Sequence, residues 1–284
     1  MASEGAVLPR RLTGAGALFS SLVAMAGKEF TIMTRYPVEF IASFGQVFAL
    51  VAIFTLAGLT FASSPGEGGN FGGVVIYGFI LFMFLSDTLW TIGYNIRREQ
   101  KQGTLEALYL SPASKFASLV SRVSNNLIWT SLLSLAGVWL MSALVGKLPF
   151  ANPGLGLYLL AMALSGTFGI GFAFAAITLR VKETGETLAN VLQFVLLILC
   201  ANFFPFSALP VGLQAISRAI PLAYGVDAFR STLMGYPEGF PELAPIGVEI
   251  VIVTLFGLLM PLIGYWSYRA AEDHERRSGG LAEY

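Results

Sequence analysis

The run Arg97-Arg98-Glu99-Gln100-Lys101-Gln102-Gly103-Thr104-Leu105-Glu106-Ala107-Leu108-Tyr109-Leu110-Ser111-Pro112 decides how the chain is read. It is the one long charged island between apolar segments, and each of those is about long enough to cross a bilayer, for which about 20 residues suffice. Gly103 breaks the helix that leaves the preceding apolar segment. Thr104 caps the next helical turn, and Glu106 sits in that first turn, where the helix dipole favours an anion. Leu105, Leu108 and Tyr109 give this short helix an apolar face. Ser111-Pro112 then supplies an N-cap and a first-position proline for the next long helix. The competing reading is a solvated loop with snorkelling charges, but such a loop has no need of caps and breaks so placed. An ordered, charged, turn-punctuated loop in an apolar protein points to something that docks on it.

Composition agrees. Of 284 residues, 55% are hydrophobic and 12% charged, whereas soluble domains carry about 25% charged residues. The mean hydropathy is +0.71. The chain reads as a polytopic membrane protein. Cys200 is the only cysteine and lies in an apolar run, so no intrachain disulfide is available. His274, the only histidine, lies in a charged tail, so a Cys/His metal site or a Cys-His catalytic pair lacks material. The formal net charge is zero, which gives no electrostatic footing for nucleic acid.

Six apolar segments, roughly 38–62, 71–95, 115–145, 155–179, 187–204 and 245–268, are predicted to span. They are continuously apolar, not alternating, which favours helices over barrel strands. With the N-terminus in the cytoplasm, 14 of the 17 Lys and Arg residues fall on the inner side, and only Lys147, Arg218 and Arg230 fall outside. The positive-inside rule therefore places both termini in the cytoplasm. Residues 63–70 and 147–153 become short outer turns. The outer connection 205–244 is longer, semi-apolar and rich in proline. Its middle, Leu213 to Ile220, is an amphipathic half-helix too short to span, read as re-entrant or lying at the outer surface.

Near the N-terminus, Leu18, Leu22, Met25, Ala26, Phe30 and Met33 share one helical face, while Ser20, Ala24, Lys28, Thr31 and Arg35 share the other. This predicts an interfacial amphipathic helix ending before Pro37. A cleaved signal peptide is the competing reading. Its core would be weakly hydrophobic, and cleavage would leave Lys28 and Arg35 outside.

No phosphate-loop signature, H-E-x-x-H or G-x-S-x-G occurs, so no catalytic constellation is expected. The glycines of Gly166-Thr167-Phe168-Gly169-Ile170-Gly171 lie inside a span and read as close helix packing. Among polar residues in the spans, Glu39 and Glu249 stand near span ends, where snorkelling is cheap. Asp87 is deeper, and either lines a path or bonds to a neighbouring helix. Phe203 and Phe204 end the fifth span as either an interface belt or an apolar gate.

The pattern E-x-x-x-G-T-x-E-x-L-x-x-S-P, carried here by Glu99, Gly103, Thr104, Glu106, Leu108, Ser111 and Pro112, resembles the coupling segment of ABC-2-type membrane permease subunits of ABC transporters. Ile220-Pro221-Leu222-Ala223-Tyr224-Gly225-Val226-Asp227-Ala228-Phe229-Arg230 is similar to the segment before that family's last span, with Ile220 and Phe229 as departures. Lys28 to Pro37 is similar to the basic helix before its first span, with Tyr36 as a departure.

The resemblance implies an all-α transmembrane domain over residues 1–284, with a cytoplasmic tail and interfacial helix at 1–37, six spans at 38–268 and a cytoplasmic tail at 269–284. It implies a homodimer, or a dimer with a related permease, bound to two ABC ATPase subunits in the cell membrane. ATP and Mg would be bound by those ATPases, and this chain would hold no cofactor or catalytic site. Glu99, Gly103, Thr104, Leu105, Glu106, Leu108, Ser111 and Pro112 would couple to the ATPase. The expected activity is export of an amphipathic substrate: a lipid, a lipid-linked glycan or a hydrophobic drug. Two alternatives remain at this point. One is an ion-coupled secondary transporter using Asp87, and the other is a non-transporting membrane anchor of an ATPase complex.

Overall fold

The computed structural model describes residues 67–101, 130–139, 148–180 and 185–278 continuously, together with isolated positions between 31 and 56, at 128 and at 142–143. Among these residues all regular structure is helical and no strand occurs. The helices are α1 (Glu67–Lys101), α2 (Thr130–Trp139), α3 (Pro153–Arg180), α4 (Gly185–Leu199), α5 (Val211–Ser217), α6 (Pro221–Met234) and α7 (Ile246–Ser278), with a 3-10 turn at Phe206–Ala208.

α1, α3 and α7 are long and apolar enough to cross a membrane, while α2 and α4 are shorter apolar helices. The described positions between 31 and 56, in the N-terminal and first-span regions, are all helical. Most of the N-terminal interfacial helix and much of the first and third spans lie outside the described residues. α1 and α7 both run past their apolar stretches, to Lys101 and Ser278. The charged residues there are good helix formers, so the helix continues beyond the apolar segment.

α7 packs along α3, and both pack with α6, while α1 contacts α3, α4 and α6. Small residues set the α3–α7 approach. A Cβ on Gly169 would overlap the backbone of Met260 and Pro261, and one on Gly264 would overlap the carbonyl of Gly169. Backbones this close exclude any side chain between them, as expected for helix packing in lipid. The helices are also tied by hydroxyls. Ser165 Oγ donates to the Gly257 carbonyl at 2.7 Å, and Tyr158 and Thr254 share a hydrogen bond of 2.7 Å. The opposite face of α7, with Leu255, Leu258, Leu262 and Trp266, is exposed and apolar.

The main core forms around the first half of α1. Val75, Ile76, Tyr77, Phe79, Leu85 and Leu89 are buried against residues of α3, α4, α6 and the turn after α4. The connection 205–244 is mostly helical. Pro221 stands at the first position of α6, where its missing N–H costs nothing. Gly235, at φ 77°, ends that helix in the left-handed conformation glycine accepts freely. Every residue of α6 except Pro221 and Tyr224 is buried.

Candidate functional site

The candidate residues fall at three levels along α1. Glu99 lies in its last described turn. Gly103, Thr104, Leu105, Glu106, Leu108, Ser111 and Pro112 lie outside the described residues. Asp87 is near the middle of α1, and its carboxylate accepts a hydrogen bond from the Thr130 hydroxyl of α2. That contact is a cross-helix bond of the kind by which polar residues tie apolar helices together. Phe203 and Phe204 stand beyond the end of α4, close to the first half of α1.

α4 stops at Leu199 and the chain turns through Cys200 to Phe204, with Ala201 at φ 46°. Asn202 holds the turn against the helix it leaves, its Nδ2 donating to the carbonyls of Leu196 and Leu197 at 3.3 Å. Phe203 does not lie in an exposed belt. It is buried, with its ring 5.9 Å from that of Phe79 and 5.7 Å from that of Phe82. Phe204 is half-buried.

Among the described residues the most elaborate polar arrangement is one that sequence patterning points to only faintly. Asp227 and Arg230 stand three residues apart on one face of α6, and both are fully buried. Arg230 Nε donates to Asp227 Oδ1 at 3.3 Å, and its Nη2 donates to Glu242 Oε1 at 3.0 Å. Its Nη1 donates to the carbonyls of Ala201 and Phe204 at 3.3 and 3.1 Å. The rings of Phe206 and Phe240 lie 5.0 and 5.3 Å from the guanidinium carbon. Asp227 Oδ2 accepts the backbone N–H groups of Glu242 and Leu243 at 2.7 and 2.8 Å. Glu242 in turn accepts those of Phe206 and Ser207 at 3.0 and 2.8 Å.

Burying an ion costs several kcal/mol unless partners replace its water. Here the carboxylates and the guanidinium are each met by several partners. One arginine thereby joins the turn after α4, helix α6 and the loop before α7. The charge count puts Arg230 in the outer connection without saying whether water or protein surrounds it; the structure buries it in protein. Glu249 likewise does not snorkel. It is fully buried in the first turn of α7, its Oε1 accepting the Ala244 N–H at 3.1 Å, while Oε2 meets no donor among the described residues. The i, i+3 spacing of Asp227 and Arg230 in an apolar helix was the available signal. Glu242 carried none, because its partners come from residues 206, 207 and 230.

Residues 59–266, more than half of the chain, match the model of the ABC-2 family transporter proteins. The chain belongs to that family. A search among curated proteins returns no match. Membership makes the chain a membrane permease subunit of the ABC transporter class, of a kind that typically has no ATPase site of its own and works with an ABC ATPase. Its long apolar helices agree with a multi-pass membrane protein.

Proposed function

We propose that this ABC-2 permease is the membrane half of an exporter driven by a separate ATPase, moving an amphipathic substrate: a lipid, a lipid-linked glycan or a hydrophobic drug. The observation that carries the proposal is the continuity of α1. It runs as one helix from Glu67 to Lys101, two residues before Gly103 of the coupling pattern. A continuous helix that leads toward a docking segment suits the transmission of an ATPase's motion.

In this reading the whole chain is one transmembrane domain of six spans in the plasma membrane. Residues 1–37 and 269–284 are cytoplasmic, and the helices between 205 and 244 form the outer, re-entrant part. The permease pairs with itself or with a related subunit and binds two ATPases, which hold ATP and Mg. Residues 99 to 112 dock on them. The scarcity of ionisable side chains in the spans favours an amphipathic cargo over a small ion. The bond from Thr130 to Asp87 favours a structural role for that carboxylate over an ion-coupling one.

The test is reconstitution with a co-purifying ATPase. Leu108→Asp should weaken the pull-down by spoiling the apolar docking face. Gly103→Pro should leave the ATPase bound while uncoupling hydrolysis from movement of a fluorescent lipid or dye. If binding, hydrolysis and transport are all unchanged in both, residues 97–112 are only a linker. In a Cys200→Ala background, Lys101→Cys and Arg276→Cys should label only from the cytoplasmic side; labelling from outside overturns the orientation.

A further inference from the structure

ATP-driven transport by this permease requires that movement at residues 99–112 reach the other end of the molecule, and the relay inferred below rests on that coupling role. α1 is the helix that leads into the segment. At 1.5 Å per residue, Gly78 lies about 35 Å along α1 from Lys101. There α1 is keyed to the turn after α4. A Cβ on Gly78 would overlap the carbonyl oxygen of Asn202, so the two backbones touch. One turn of α1 holds Phe203 between Phe79 and Phe82.

On its other side the same turn is gripped by α6 and the loop beyond it. Arg230 donates to the carbonyls of Ala201 and Phe204, and Glu242 accepts the N–H groups of Phe206 and Ser207 as well as Arg230 Nη2. Residues 200–207 are therefore fixed from two sides at once. A displacement of α1 either carries the turn with it or breaks the backbone contact at Gly78. Close-packed interfaces change by switching between arrangements, not by continuous deformation.

We propose that Gly78, Phe203 and Arg230 are positioning residues for transport. The Gly78–Asn202 contact and the Phe203 ring carry movement of α1 into the turn 200–207, and Arg230 passes it to α6 and the loop before α7. Adjacency alone does not establish coupling, so the test reads a change at the turn that is driven from the ATPase.

The chain supplies its own reporter. Cys200 opens this turn, is fully buried and is the sole cysteine. In the assembled complex, N-ethylmaleimide should label Cys200 slowly without nucleotide. Addition of ATP and Mg should speed labelling about tenfold, within the usual range of coupling between sites. Phe203→Leu keeps an apolar side chain in the core but loses the ring contacts with α1. Arg230→Lys keeps the charge but not the fork that reaches two carbonyls and Glu242. Each should cut the ATP-dependent gain to less than about threefold while the ATPase stays bound and active. Gly78→Ala should raise labelling even without ATP. If that variant does not fold, the unsubstituted chain and Phe203→Leu decide the matter.

Hydrolysis and transport with Cys200 labelling unchanged by ATP would overturn the relay and leave the proposed function standing. A full ATP-dependent gain in both Phe203→Leu and Arg230→Lys would also overturn it. If no ATPase binds the chain, the proposed function falls and the relay falls with it.

Discussion

Where α3 meets α7, glycine backbones lie against one another, and the polar contacts include two hydroxyl bonds, Ser165 to the Gly257 carbonyl and Tyr158 with Thr254. Between Ala201 and Glu249, Arg230, Asp227 and Glu249 are fully buried and Glu242 is partly buried, and they draw backbone groups from the surrounding loops onto themselves. Both regions must satisfy polar groups away from water. The helix pair needs little, because each helix already bonds its own backbone and only shape is left to match. The Ala201–Glu249 region is broken into a turn, a 3-10 turn, two short helices and a loop, so free N–H and C=O groups abound. Side-chain charges take the place that a continuous helix would have filled. Shape matching should fail in graded steps, whereas a shared charge cluster should fail as a unit.

The largest effect is therefore expected at Arg230. Arg230→Leu strands the buried carboxylate of Asp227 and the partly buried one of Glu242 and should cost about 3–5 kcal/mol of stability, read as loss of the folded fraction in detergent against temperature. Adding Asp227→Asn and Glu242→Gln to the same chain should recover much of that loss, because both carboxylates that paired with Arg230 are then neutral. A single Arg230→Leu cost below about 1 kcal/mol, the level of an exposed pair, would break the contrast between the two regions.

The helix pair should respond less. Gly169→Ala pushes a methyl into the backbone of Met260 and Pro261 and should cost about 1–3 kcal/mol, the usual range for overpacking. Gly154, also in α3, has nothing near its Cβ position. Gly154→Ala should stay within about 0.5 kcal/mol of the parent, and the difference between the two measures shape alone.

The two regions were not equally legible in the sequence. The cores of α1, α3 and α7 follow from apolar length, and the packing role of Gly166 and Gly169 follows from their place inside a span. Pro221 marks the start of α6 in the way helix starts are ordinarily marked. The charge cluster was half hidden. Asp227 and Arg230 show their spacing, but the acceptors of Arg230 lie at residues 201, 204 and 242, and no local pattern brings those together. The positive-inside rule counts charges by loop and cannot tell a solvated arginine from a buried one, so it carried no sign that Arg230 is buried. Glu249 misled for a similar reason. A carboxylate at a span end can reach water in principle, but this one is buried and turned back onto the Ala244 N–H.

A smaller effect tests the polar side of the helix pair. Ser165→Ala removes the bond to the Gly257 carbonyl. It should cost roughly 0.6 kcal/mol, the average for such interhelical bonds, and equilibrium unfolding in bicelles would resolve it. A cost above about 2 kcal/mol would mean that α3 and α7 depend on polar contacts as much as the Ala201–Glu249 region does.

The smallest change is expected at Glu249, and it bears on how many charges the cluster holds. Asp227 is the carboxyl group beside it. Asp227 already accepts from Arg230, Ser231, Glu242 and Leu243, whereas Glu249 accepts one N–H, that of Ala244. Glutamine keeps the accepting oxygen and places an NH2 where a carboxyl oxygen now meets no donor, so it can donate toward Asp227. Glu249→Gln should therefore shift stability by no more than about 0.5 kcal/mol. Glu249→Ala strands the Ala244 N–H and should cost about 1–3 kcal/mol. If glutamine costs as much as alanine, the negative charge of Glu249 is itself required. Three charged carboxylates would then share one arginine, and backbone N–H groups would have to offset much of the negative charge that Arg230 leaves uncompensated.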